Sequence, residues 1–187
     1  MIIIGLSGGI GSGKSTIAKW FSQKGIAVYN SDDEAKKLID TNPELIEKLS
    51  LIFGEETYKD GIYNRAFVAS KVFENKELLQ KLNAAVHPVV FEHFDQWIKN
   101  QKSDFVIKEA AILFESGSYK NCDSVISVIA DEEKRIQRVI KRDGLTESQI
   151  RSRIKNQWTD SKTRDIVETE HDLVKDFLRI SFTELKV

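Results

Sequence analysis

Eight residues near the start of the chain, Gly8-Gly9-Ile10-Gly11-Ser12-Gly13-Lys14-Ser15, fit the pattern G-x-x-x-x-G-K-[ST]. Glycines in this number leave the backbone bare, at a cost in conformational order. The chemistry that repays such a cost is anion binding. Successive backbone N–H groups curl into a concave nest, and a helix that follows adds the positive end of its dipole. In this pattern the lysine, Lys14, reaches the β- and γ-phosphates of a nucleoside triphosphate, and the hydroxyl of Ser15 is a ligand for Mg²⁺. The flanks agree with the mechanism. Residues 2–6 are apolar and β-branched, as in a buried parallel strand, and residues 15–23 carry Ile17, Ala18, Trp20 and Phe21 at helical spacing.

Two further groups have types and positions suited to phosphoryl transfer. The run Tyr29-Asn30-Ser31-Asp32-Asp33 ends a second apolar stretch, residues 26–29. Ligands of parallel α/β sheets sit off the carboxyl ends of strands, so a carboxylate there can accept the proton of an acceptor hydroxyl. Asp32 is the candidate base. The competing readings are that Asp32 caps the helix over residues 33–40, or that Asp33 is the base. Arg135, Arg138 and Arg142 stand at i, i+3 and i+7, on one face of a charged helix expected over residues 131–142. Three cations in one stripe can clamp phosphates. The alternative is a solvated face paired with Glu132, Glu133 and Asp143.

These groups must be carried by a scaffold, and the rest of the chain reads as one. Helices are expected over residues 32–40, 43–53 and 65–73, the last capped by Asn64, with Asp60-Gly61 as a turn. A helix capped by Asn75 is expected to stop near residue 86, with His87-Pro88 as a junction before another helix that reaches residue 100. Strands follow over 105–108 and 124–129, helices over 131–142 and 145–157, a short fifth strand at Ile166-Val167 and a final helix over 172–185. Strands alternating with helices indicate an α/β fold of three layers around a mostly parallel five-stranded sheet. Residues 42–100 form a helical insertion in a single domain spanning 1–187, and residues 131–160 form a lid region.

Composition narrows the function class. The 187 residues carry 28 Lys+Arg against 29 Asp+Glu, a net charge of −1, which disfavours a generally basic nucleic-acid binder but leaves room for a local basic pocket. The single cysteine, Cys122, reads as a structural thiol, since Asn121 and Asp123 offer no activating base. No leader and no membrane span is expected, and a cytoplasmic, monomeric protein is the default. The P-loop alone leaves kinase, GTPase and ATPase open. No guanine-reading Asn-Lys-x-Asp occurs, which disfavours a GTPase.

Taken together, Leu6-Ser7-Gly8-Gly9-Ile10-Gly11-Ser12-Gly13-Lys14-Ser15-Thr16, the Asp32 segment, Leu82-Asn83-Ala84-Ala85-Val86-His87-Pro88, Glu109-Ala110-Ala111-Ile112-Leu113-Phe114-Glu115 and the run from Arg138 to Asp143 resemble the dephospho-coenzyme A kinase family over nearly the whole chain. The resemblance implies transfer of the γ-phosphoryl group of ATP to the ribose 3′-hydroxyl of dephospho-coenzyme A, the last step of coenzyme A synthesis. It implies ATP contacts from Gly9, Gly11, Ser12, Gly13, Lys14, Ser15, Thr16, Arg138 and Arg142, and Mg²⁺ at Ser15. It makes Asp32 the activating carboxylate and Arg138 a lid arginine facing the phosphates. Arg65 and His87 match substrate-side positions, and the helical insertion matches a coenzyme-A-binding subdomain. Three positions depart from the usual pattern: Asn30-Ser31 where Asp-Ala is usual, Ala111 where proline is usual, and Arg164-Asp165-Ile166-Val167-Glu168-Thr169 in the stretch that lies near the adenine.

Overall fold

A computed structural model of the chain describes residues 1–73, 75–159 and 161–163. The chain divides into two compact units, one formed by Met1–Val28 with the segment from Ser103 onward, the other by Tyr29–Lys102. The anticipated fifth strand at Ile166-Val167, the final helix over 172–185 and the Arg164–Thr169 departure lie outside the described residues.

The first unit is built on strands β1 (Ile2–Ser7), β5 (Phe105–Glu109) and β6 (Ser124–Ser127), with β2 (Val28–Asn30) at the edge, in the order β2-β5-β1-β6. β1 pairs in parallel with both β5 and β6. A strand covered on both faces must be apolar along its length. Ile4, Leu6, Val106 and Ile107 accordingly lie buried, and Ala18 and Phe21 of helix α1 (Lys14–Gln23) pack against Ile4, Leu6 and Ile107. The helices α6 (Glu132–Asp143) and α7 (Glu147–Lys155) form a second core of Ile136, Val139 and Ile150, into which Ile10 inserts. Asp131 caps α6 and Thr146 caps α7 through a reciprocal capping box with Gln149.

The second unit is mainly helical: α2 (Ser31–Thr41), α3 (Pro43–Phe53), α4 (Arg65–Phe73) and α5 (Lys76–Lys99). Its core holds Leu45, Leu49, Val68, Ala85, Val86, Val90 and Phe94. Tyr29 lies against Phe94 and Trp97, and its hydroxyl bridges the Val90 carbonyl and His93 Nδ1.

One expectation gains detail here and one changes. The expected Asp60-Gly61 turn is present, and it closes a small hairpin, β3 (Tyr58–Lys59) with β4 (Ile62–Tyr63). Asp60 takes φ 52°, the left-handed geometry of an Asp-Gly hairpin turn. The junction at His87-Pro88 does not exist, because α5 runs through it as one helix of 24 residues. A proline in a helix interior forfeits one backbone hydrogen bond and costs about 3 kcal/mol. Ala85 and Val86 before it and Val90 and Phe94 after it share one buried face. Burying each of the larger side chains contributes about 1.5–3 kcal/mol, so continuity wins.

Asn42 closes α2 and opens α3 at once. Its backbone N–H donates to the Leu38 carbonyl, and its side-chain oxygen accepts from Leu45 N at 2.9 Å. Asn42→Ala should therefore lower stability by about 1 kcal/mol, read as an earlier midpoint in urea unfolding. An unchanged midpoint would show that Pro43 alone starts α3.

Candidate active site

The glycine-rich segment lies between β1 and α1 and borders a cavity of about 430 Å³. Its glycines serve two ends. Gly13 faces the open side: a Cβ there would meet nothing closer than Arg138 at 4.0 Å. Its φ of 101° disfavours any residue with a side chain. Gly9 and Gly11 face the other way, toward α6. A Cβ on Gly9 would lie 2.5 Å from the Arg135 guanidinium, and one on Gly11 would lie 2.5 Å from the Arg135 carbonyl. Part of the demand for glycine thus comes from the helix behind the loop. Ser12 N donates to Gly9 O and Ile10 N to the side chain of Gln157. The amides of Gly11, Gly13, Lys14 and Ser15 have no acceptor among the described residues. These amides and the α1 N-terminus are donors of the kind an anion takes.

Lys14 and Ser15 converge on Glu109. Lys14 Nζ lies 2.7 Å from Glu109 Oε1, and Ser15 Oγ donates to the same oxygen at 3.2 Å. The two charged side chains are 11% and 3% exposed. At that depth an unpaired charge is prohibitive, so each needs the other. Glu109 ends β5 in register with Leu6 of β1. The sequence reading gave it no role. Its signal was an acidic residue closing the strand expected over 105–108, where a carboxylate can meet the loop after β1. A hydroxyl and a carboxylate oxygen at this spacing are the hard donors that Mg²⁺ takes, usually with one or two carboxylates completed by phosphate and water.

The three arginines of α6 do not act alike. Arg135 is buried and turned beneath the loop, where its Nε donates to Ile10 O at 3.0 Å. Arg138 reaches the carbonyls of Gly11 and Ser12, both at 3.3 Å, and lines the cavity. Arg142 also lines the cavity and makes a two-pronged pair with Asp143, which holds that carboxyl below its usual range. The expected stripe of three equivalent cations is therefore corrected to one buried brace and two cavity residues. Arg153 and Gln157 of the α7 segment line the same cavity and were not singled out in the sequence. Their helix reads as an ordinary polar one.

In the second unit, the structure removes one reading of the 29–33 run, that of Asp32 as the helix cap. Asn30 caps α2 by accepting from Asp33 N, so Asp32 is not the cap and stands in the first turn. Asp33 pairs with Lys36 at 2.7 Å on the surface. Arg65 begins α4, 3.6 Å from Asp40. His87 is half-buried beside Phe91, and burial lowers its pKa, which keeps the ring neutral at pH 7. Burial pushes the Cys122 thiol up to about 11, so it is no nucleophile. The structure thus gathers Lys14, Ser15, Thr16, the loop glycines, Ser12, Arg138 and Arg142 around one cavity of the first unit, while Asp32, Arg65 and His87 belong to the second.

The chain's relatives agree on one family. A family model described as dephospho-CoA kinase matches residues 2–170. A dephospho-CoA kinase of Porphyromonas gingivalis is 41% identical over 157 residues, covering 84% of this chain and 78% of that protein. The one from Fusobacterium nucleatum is 36% identical over 185 residues, covering 96% and 95%. Among solved structures, TT1252 from Thermus thermophilus superposes with a TM-score of 0.81 at 31% identity, over 89% of this chain and 85% of that one. A dephospho-CoA kinase from Campylobacter jejuni gives 0.59 at 25% identity, over 89% and 83%.

The packing of the loop on α6 carries a measurable cost. Gly11→Ala would press a methyl group onto the Arg135 backbone at a φ of 77°, so it should destabilise by about 1–3 kcal/mol. The melting temperature should fall by roughly 2–12 °C. Gly25→Ala, also at positive φ but in open space, should cost less. Equal losses in thermal unfolding would mean that φ, not α6, sets the requirement.

Proposed function

The chain belongs to the dephospho-CoA kinase family, and we propose that the cavity beside Lys14 is where it holds the phosphates of ATP. The enzyme is a kinase that phosphorylates dephospho-coenzyme A with ATP in the final step of coenzyme A biosynthesis. The observation that carries the site reading is the convergence of open amides, the α1 N-terminus, Lys14 and Arg138 on one cavity.

In this reading the acceptor is the ribose 3′-hydroxyl. Its oxygen attacks the γ-phosphorus, the bond from that phosphorus to the β–γ bridging oxygen breaks, and ADP leaves. Asp32 takes the hydroxyl proton. Lys14 balances charge on the β- and γ-phosphates, and Arg138 balances charge that develops on the transferring group. Phosphoryl transfer needs positioning and charge neutralisation more than covalent help, and the nest supplies both. Ser15 and Glu109 are the residues that would hold Mg²⁺, which would supply neutralisation of negative charge on the phosphates. Gly9, Gly11, Ser12, Gly13, Thr16 and Arg142 complete the nucleotide site. Arg65 and His87 serve the acceptor, within the helical insertion over 42–100, and the 131–160 region supplies the cationic wall.

Among the described residues no helix is long and apolar enough to cross a membrane. We read the enzyme as a cytoplasmic monomer acting on a small molecule, without a nucleic-acid partner, in keeping with its net charge of −1.

The experiment is coupled ADP release with Mg-ATP, comparing dephospho-coenzyme A with AMP, shikimate and no acceptor. Release with dephospho-coenzyme A alone, with the 3′-phosphorylated product seen by mass, is expected. Lys14→Ala should lower kcat by roughly 10²–10³-fold. Asp32→Asn should lower it by roughly 10²–10⁴-fold with ATP affinity spared. Near-normal turnover in Asp32→Asn would remove the base assignment. Glu109→Gln should raise the half-saturating Mg²⁺ concentration by roughly tenfold or more. An unchanged Mg²⁺ requirement would leave Glu109 as a partner of Lys14 only.

A further inference from the structure

The glycine-rich loop has an internal brace of two side chains, of which Gln157 also lines the cavity and Arg135 does not. Ile10, at the apex of the loop, is held at three points. Its side chain packs against Ile136, Val139 and Ile150 of the α6–α7 core. Its N–H donates to Gln157 Oε1 at 2.9 Å. Its carbonyl accepts from Arg135 Nε at 3.0 Å. Both polar groups of one peptide residue are thus taken by side chains 125 and 147 positions away in the chain.

The two side chains are themselves fixed. Arg135 is buried, and the absence of side chains on Gly9 and Gly11 lets it and its backbone lie against the loop. Gln157 donates through Nε2 to Ala111 O at 3.4 Å, which ties it to the segment after β5. The next residue, Trp158, stacks on Phe114 and donates its N–H to Glu115 at 2.7 Å. The Glu109 segment, the α7 end and α6 therefore meet at Ile10.

We propose that Arg135 and Gln157 are positioning residues for phosphoryl transfer, which clamp the Ile10 peptide groups and so fix the loop in its anion-binding shape. The physical argument is one of direction. A glycine-rich loop has many conformations, and in most of them its amides do not converge. With the Ile10 N–H turned away toward Gln157 and its carbonyl turned away toward Arg135, the amides of Gly11, Gly13, Lys14 and Ser15 remain to face one anion. The ordering cost is met on folding rather than on binding. Arg135 does not line the cavity, so any effect it has on nucleotide acts through the loop. The inference rests on the reading that this loop holds the phosphates of ATP.

The test is a double-mutant cycle of Arg135→Met and Gln157→Met in the full chain, with Lys14→Ala run beside it. Turnover, ATP affinity and dephospho-coenzyme A affinity are measured separately, with thermal unfolding as the check on folding. Each single variant should weaken ATP binding several-fold and lower kcat by roughly ten- to a hundredfold, the scale of a misplacement of about 1 Å. Affinity for dephospho-coenzyme A should stay within about twofold of the parent, since the clamp touches only the phosphate side. Because both side chains hold the backbone of one residue, the double variant should lose less than the product of the single losses. Arg135→Lys, which keeps a donor for Ile10 O, should recover most of the Arg135→Met loss. Turnover and ATP affinity within twofold of the parent in Gln157→Met would overturn the clamp, even if Arg135→Met does not fold. Equal weakening of both substrates, or multiplicative losses, would also overturn it, since these mark general damage or independent action. If Lys14→Ala kept normal ATP affinity and turnover, the site reading itself would fall. A crippled Lys14→Ala beside a normal Gln157→Met removes the clamp alone.

Discussion

A buried charge with no partner cannot be tolerated, and at the end of β1 that constraint governs the geometry. Lys14 is nearly out of water because the loop that carries it must curl over a nest of amides. Glu109 is buried more deeply still, at the end of the neighbouring strand. Neither would be stable there alone, since removing one partner of a buried pair typically costs about 3–5 kcal/mol. The pair therefore ties the loop after β1 to the segment after β5, in the register that sets Leu6 beside Glu109. Ser15 joins the same oxygen, so lysine, hydroxyl and carboxylate are brought together by one electrostatic requirement.

The second constraint is steric. A loop built for phosphate would need glycine only on the side that phosphate approaches. Here the far side is as crowded, with α6 pressed so closely behind Gly9 and Gly11 that a Cβ would overlap Arg135. Helix α6 does two things from one face. At Arg135 it supports the loop from below, and one turn later Arg138 emerges into the cavity. The i, i+3, i+7 spacing places the three arginines in a row, but depth divides them. A row on a helix that packs against a curved loop passes from buried to exposed, and identical side chains take different work along it.

How much of this is legible in the sequence depends on the distance over which each feature is encoded. The nest is local: glycines, lysine and serine lie within one strand–loop–helix, and the pattern identifies them. The caps at Asn64 and Asn75 are equally local, and the helices that follow begin there. Pro88 misleads because its local cost is real, while the buried face of α5 that outweighs it is a tertiary property. Asp32 loses its capping alternative because Asn30, two residues earlier, takes the cap, a choice between near-equal neighbours that only geometry makes. Glu109, Arg153 and Gln157 are hidden for a further reason. They act on residues distant in the chain or line the cavity, and apart from the acidic end of β5 at Glu109 nothing in their own helix or strand marks it.

The net charge of −1 is a weak guide to such a site, because charge in a cavity is set by pairing and not by composition. Lys14 is matched by Glu109 and Arg142 by Asp143. Arg138 instead donates to the carbonyls of Gly11 and Ser12, and no carboxylate pairs with it among the described residues. Carbonyl dipoles orient a guanidinium without cancelling its charge, so at this point the cavity wall keeps a positive field inside a protein that is almost neutral overall. A polyanion entering the cavity would meet a cation aimed by the carbonyls of the glycine-rich loop. The loop carbonyls that hold Arg138 belong to the residues that follow Ile10, so the aim of that charge and the shape of the nest have a common origin.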